Sequence, residues 1–113
     1  HLRVMGGVKT TAENVQAAIA GEGHEFKEMY PTFVAEAEKE GNQAALTTFR
    51  FAMAVEKVHY DLYSKAAQAL QEGKDLPIAR LFVCGVCGHT VLDEAPDRCP
   101  ICMAVKARFE EIK

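Results

Sequence analysis

Cys84, Cys87, Cys99 and Cys102 form two Cys-x-x-Cys pairs, and the chain has no other cysteine. A knuckle of this kind sets two thiolates about 3–4 Å apart, which suits a tetrahedral ion with metal–sulfur bonds near roughly 2.3 Å. Gly88 follows the first pair and lets the backbone turn its N–H groups toward sulfur, stabilising thiolate charge. A disulfide framework would spread its cysteines through the chain. One four-thiolate metal site in a reducing compartment, the cytoplasm, is therefore expected. The same spacing serves structural zinc and redox iron, and taken alone it favours zinc.

A second set of residues is out of place in a different way. An apolar stripe at helical spacing runs Val15, Ile19, Glu22, Phe26, Met29, Phe33, with a carboxylate where an apolar residue belongs. Glu25 follows on nearly the same face. A second stripe runs Leu46, Phe49, Met53, Glu56, Tyr60, Tyr63, Ala67, Leu70, and His59 stands three residues after its Glu56. Buried carboxylates that close together are costly unless a cation compensates them. Oxygen-rich ligation with one imidazole suits iron or manganese, and zinc less specifically. Glu-x-x-His facing glutamate is the donor arrangement of di-iron four-helix bundles. Such a centre needs an electron supply, which redox-inert zinc cannot give, so iron becomes the expected ion of the cysteine site.

These groups must be held by helices. Thr10 and Glu13 make a capping box, and the helical pattern runs from there to about Glu40, with Gly41 as its stop. Asn42 caps a second helix running to about Glu72, and Gly73 ends it. So short a turn forces an antiparallel hairpin, which brings Glu22, Glu25, Glu56 and His59 to one level. Pro31 is expected to bend the first helix while the stripe continues in phase. Gly21 and Gly23 leave room beside Glu22 for a cofactor or substrate. Tyr30, Tyr60 and Tyr63 are read first as core. Residues 74–82 form a linker ending in the extended Leu81-Phe82-Val83. The division is a helical hairpin over 1–75 and a cysteine module over 76–113.

Composition excludes some partners. The 113 residues are 49% hydrophobic and 26% charged, with a net charge of −3. Nucleic acid is not expected, because phosphate binding wants clustered Lys and Arg. No apolar run reaches the roughly 18 residues of a membrane span, so no membrane is expected as a partner, and no secretory signal is apparent. The first residue is His, which implies a processed start or a fragment.

The residues resemble the C-terminal half of rubrerythrin. Thr11-Ala12-Glu13-Asn14 and Gly21-Glu22-Gly23-His24-Glu25-Phe26-Lys27-Glu28-Met29-Tyr30-Pro31 are similar to that family's third bundle helix, and Glu56-Lys57-Val58-His59 to the Glu-x-x-His of its fourth. The stretches from Phe82 to Gly88, from Ala95 to Cys102 and from Phe109 to Ile112 look like its rubredoxin-like tail. The resemblance implies a mainly α fold, a ferritin-like four-helix bundle plus a small rubredoxin-like module. It implies a non-haem di-iron peroxidase that reduces hydrogen peroxide. Electrons would come through the four-cysteine iron from an external donor such as a rubredoxin or a reductase. By the same carry-over, Glu22, Glu25, Glu56 and His59 are di-iron ligands, Glu22 and Glu25 take part in catalysis, and Tyr30 supports a ligand. The family often places the module of one subunit near the di-iron site of another.

The family's preceding helix pair, with its own glutamate and Glu-x-x-His, has no counterpart here. A homodimer of hairpins, or a complementary helix-pair chain, would complete the bundle. An electron carrier with an incomplete di-iron site, or a zinc-ribbon interaction module, are the alternatives. Gly85 stands where the family more often has a larger residue, a difference of little expected consequence. Met103 replaces the glycine expected after Cys102, which threatens one amide-to-sulfur geometry.

Overall fold

The computed structural model describes residues 1–78 and 80–113; Ala79, in the expected linker, lies outside the described residues. Helix α1 spans Thr11–His24, a π-helical turn spans Glu25–Met29, α2 spans Tyr30–Lys39 and α3 spans Gln43–Gln71. The capping box forms. The Thr10 hydroxyl accepts the Glu13 N–H at 3.3 Å, and the Glu13 carboxylate accepts the Thr10 N–H at 3.1 Å. At the hairpin turn Gly41 takes φ 67°, a conformation glycine reaches without strain. The Asn42 N–H then reaches back to the Ala37 carbonyl at 2.9 Å, and the Asn42 side chain accepts the Ala45 N–H at 3.1 Å. One helix is closed and the next opened within two residues, so α1 and α2 lie antiparallel against α3.

Pro31 does not simply bend the first helix. It has no N–H for the carbonyl four residues back, and its ring crowds that turn. The chain answers with the π-turn, in which the Tyr30 N–H donates to the Glu25 carbonyl five residues earlier. A π-turn holds one residue more than an α-turn, and the expected stripe nonetheless reaches α3 at Phe33, whose ring centroid lies 5.4 Å from that of Phe49. Beyond the turn Ala37 is buried and Val34 half-buried, while Phe33 keeps part of its ring exposed.

The cysteine module is a three-stranded antiparallel sheet in the order β2-β1-β3, from Leu81–Cys84 (β1), Thr90–Leu92 (β2) and Phe109–Ile112 (β3). Val83 pairs with Thr90 and Cys84 with Phe109. Arg80, at the end of the linker, ties the sheet to it through two bonds to the Glu111 carboxylate, at 2.7 and 2.9 Å, with its guanidinium over the Phe82 ring.

The module docks on α3. A Cβ placed on Gly88 would touch Val55 at 3.7 Å, and Val55 is buried although it lies outside the α3 stripe that meets α1. Helix α3 therefore serves two partners, the hairpin on the Glu56 face and the module along Val55 and His59.

Candidate metal centres

The first knuckle turns at Gly88, which sits at φ 86° and donates its N–H to the Cys84 carbonyl at 2.8 Å. The second knuckle repeats this with Met103, at φ 63° and 3.0 Å from the Cys99 carbonyl. The glycine-like turn is thus kept by a residue with a side chain, at a strain of about 1–2 kcal/mol. Gly85 has a use of its own. A Cβ there would lie 3.3 Å from the Arg108 carbonyl, to which the Gly85 N–H donates at 2.8 Å. The close approach of two backbones, β1 to the turn before β3, means a larger residue requires them to part by a few tenths of an ångström.

Between the knuckles the four sulfur atoms lie within 4.8 Å of one another, Cys84 to Cys102 at 3.7 Å and Cys87 to Cys99 at 3.6 Å. A tetrahedron with metal–sulfur bonds of about 2.3 Å has edges of about 3.8 Å, so the gap fits an ion of that size. Burial pushes the Cys84 thiol up, but the N–H groups of Cys87 and Val86, together with hydrogen bonds from the Cys102 and Cys87 side chains, bring the thiol below its ordinary value. Burial holds the Cys87 and Cys102 thiols above theirs. Four thiols this close cannot all ionise side by side without a cation among them, and Cys84 is poised to ionise ahead of Cys87 and Cys102.

The second group lies on the helices. Carboxylate oxygens of Glu22 in α1 and Glu56 in α3, with a His59 ring nitrogen, gather within 4.8 Å. His59 Nδ1 is 2.8 Å from Glu56 Oε2 and 3.6 Å from Glu22 Oε1. Among the described residues Glu22 Oε2 is buried with no hydrogen-bond partner. An orphaned carboxylate oxygen beside a second carboxylate and an imidazole is the environment a cation completes. Without a cation, burial and then the Glu56 hydrogen bond and charge push Glu22 up to about 6, against a smaller opposing pull from His59. Glu25 does not join this cluster. It starts the π-turn one helical turn on, half-buried. Tyr30 stands close enough to feel all three carboxylates. Burial first, then Glu56, Glu25 and Glu22, raises its phenol above the ordinary value, so it stays protonated.

At Gly23 the room beside Glu22 is taken by protein. A Cβ on Gly23 would meet the Tyr60 ring at 3.2 Å, and that ring packs edge-on against Phe26 with Lys27 above it. Gly23 is small because Tyr60 crosses there. Nothing lies within 4 Å of a Cβ on Gly21.

His59 belongs to both centres. While Nδ1 faces the carboxylates, Nε2 lies 3.1 Å from Thr90 Oγ1 and 3.3 Å from the carbonyl of Gly88, the residue after Cys87. An Nε2–H donated to that carbonyl leaves the Nδ1 lone pair aimed at the carboxylates, the state in which imidazole binds a metal. This junction between helix and module lies within one chain. The signal for it in the sequence was Val55, four residues before His59 and apolar off the main stripe.

Residues 3–67 match the rubrerythrin family, and residues 82–110 match the rubredoxin-like domain of rubrerythrin. Rubrerythrin-2 of Clostridium acetobutylicum is 39% identical over 104 residues, 92% of this chain and 56% of that protein. A putative rubrerythrin of Methanocaldococcus jannaschii is 39% identical over 105 residues, 88% of this chain and 50% of that protein. Nigerythrin of Nitratidesulfovibrio vulgaris is 32% identical over 96 residues, 85% of this chain and 46% of that protein. A solved structure of fully reduced, all-ferrous nigerythrin superposes with a TM-score of 0.82 at 29% identity, over 93% of this chain and 50% of that one. The chain thus spans about half the length of the curated relatives it matches. Rubrerythrins carry a di-iron centre and a rubredoxin-like iron site, and this chain holds a donor group of the matching chemistry for each. With a ferritin-like helical segment followed by a rubredoxin-like module, and with both segments matched, the chain is a member of the rubrerythrin family.

Proposed function

We propose that the chain works in the reduction of hydrogen peroxide as a rubrerythrin-type non-haem di-iron peroxidase, with electrons relayed through its four-cysteine iron. The observation that carries this reading is His59, which touches Glu56 with one ring nitrogen and the module's Thr90 and Gly88 with the other. An oxygen-rich donor group and a thiolate group are thereby joined through one imidazole and one backbone carbonyl. The functional units are the hairpin over 1–75 and the module over 76–113.

Ferrous ions in the bundle would supply the two electrons consumed in H2O2 + 2 H⁺ + 2 e⁻ → 2 H2O. The chain's own residues would divide the remaining work. Glu22, Glu56 and His59 would hold the bundle ions, with Glu25 supplying a further carboxylate from one helical turn away, while Cys84, Cys87, Cys99 and Cys102 would hold the relay iron. Tyr30 keeps its proton and positions a carboxylate. The external electron donor, a rubredoxin or a reductase, delivers to the exposed side of the module, where Val86 and Met103 flank the knuckles. The cytoplasm is the fitting compartment, since paired Cys-x-x-Cys thiolates that hold a metal call for reducing conditions.

Rapid mixing of the anaerobic, fully reduced protein with hydrogen peroxide tests this. Bundle iron should oxidise first, and the red absorption of ferric iron on four thiolates should follow as electrons are drawn through the module. If the thiolate-bound iron oxidises at least as fast as the bundle iron, the chain is an electron carrier and the peroxidase reading fails.

A further inference from the structure

Among the described residues, and cysteine aside, His89 is the one polar residue that is buried, at 8% exposure. It follows Gly88 at the end of the first knuckle, and its main chain is committed to that knuckle on both sides. Its N–H donates to the Cys87 sulfur, and its carbonyl accepts the Cys84 N–H at 2.9 Å. The pairing of β1 with β2 and β3 thus runs on through Cys84 and sets His89, Cys84 and Phe109 in one row across the sheet. Residues paired in this way point their side chains to one face. The His89 and Phe109 rings accordingly meet edge-on, centroids 6.4 Å apart, on the face to which the Cys84 sulfur belongs.

The ring's Nδ1 is buried with no hydrogen-bond partner among the described residues. An enclosed polar atom without a partner costs folding energy, and an apolar ring would fill the place beside Phe109 without that cost. The thiolate site gives the atom a use. Four thiolates around one iron leave the centre negative in both oxidation states, and more so by one charge when the iron is ferrous. An N–H dipole aimed at that charge favours the ferrous state, and it acts more strongly where water is excluded.

We infer that His89 raises the potential of the four-cysteine iron as a neutral dipole: Nδ1 carries the ring's hydrogen and turns it toward the thiolates, stabilising the ferrous centre. The ring does this without bonding to the metal. Its two main-chain bonds and the Phe109 contact keep it from swinging away. The inference rests on the iron reading of the four-cysteine site. It makes the relay iron more readily reduced than it would be beside an apolar ring, so electrons pass to it more easily from an external donor.

Redox titration of the red absorption in the wild type and two variants tests this. His89→Phe keeps a ring beside Phe109 and removes the N–H. At the wild-type midpoint it should hold at least about three times more ferric than ferrous iron, a fall of about 30 mV or more at 59 mV per tenfold. His89→Asn places an amide N–H where Nδ1 stood and should recover at least half of that fall. A smaller change in His89→Phe overturns the inference, and so does a His89→Asn potential no higher than that of His89→Phe, which would assign the effect to packing. The zinc-loaded wild type is diamagnetic, has the charge of the ferrous centre and needs no substitution. Nitrogen NMR of its His89 should show Nδ1–H, and an Nε2–H ring overturns the inference. A protein that takes up no red, thiolate-bound iron fails the site reading itself, and the inference with it.

Discussion

Replacing Glu22 by glutamine should stabilise the metal-free protein while abolishing its bundle metal site. Burial, followed by the hydrogen bond and charge of Glu56, raises the Glu22 carboxyl from 4.5 to about 6. That difference, at about 1.36 kcal/mol per pH unit, is worth about 2 kcal/mol. A carboxyl raised on folding favours the folded state only while protonated. Its contribution is fully present below 4.5 and is lost as pH rises through about 6. At neutral pH the metal-free wild type therefore bears the whole cost, and the neutral glutamine removes it. The side chain is 19% exposed, so solvent screening takes only part of the effect. Metal-free Glu22→Gln should melt roughly 5–8 °C higher than wild type near pH 7, followed by circular dichroism of the helices. The two curves should converge near pH 4, where wild-type Glu22 is itself neutral. With iron added the order should reverse, because only the wild type gains binding energy. A metal-free variant less stable than wild type at neutral pH, or a difference that persists in acid, would refute the reasoning.

The two glycines beside Glu22 should respond oppositely. Gly21→Ala meets open space and should stabilise the helix by about 0.5–1 kcal/mol, whereas Gly23→Ala drives a methyl to 3.2 Å from a Tyr60 ring pinned by Phe26 and should destabilise by about 1 kcal/mol or more, both read by urea titration. Met103→Gly should stabilise the iron-loaded module by about 0.5–1 kcal/mol, because the turn at φ 63° loses its strain and the Met103 side chain is exposed; slower loss of red colour in denaturant is the measure. Cys99→Ser removes a fully buried ligand and should abolish thiolate-bound iron and the order of the sheet, while the helical signal stays. Retention of the red absorption by that variant would contradict the four-thiolate site.

Local chemistry was enough for part of this protein. Cysteine pairs with two residues between them form knuckles, so the thiolate cluster followed from Cys84, Cys87, Cys99 and Cys102 alone. Helical periodicity marked Glu22 and Glu56 as carboxylates in an apolar seam, and the Gly41-Asn42 turn folded the two seams onto each other. The resemblance rested on the same residues. Strands β2 and β3 were less legible, since three or four residues carry little periodicity and pair only because β1 lies between them.

Tertiary structure decided three matters that no local pattern carries. A π-turn formed before Pro31, and Glu25, which opens it, stayed outside the cluster. The small volume at Gly23 went to Tyr60, a residue from the other helix. The module came to rest on Val55 and His59, residues 29 and more positions away from those they touch. Sequence spacing sets which residues share a face of one element. Which element covers that face depends on how separate surfaces bury each other, and here that choice placed one imidazole between two metal sites.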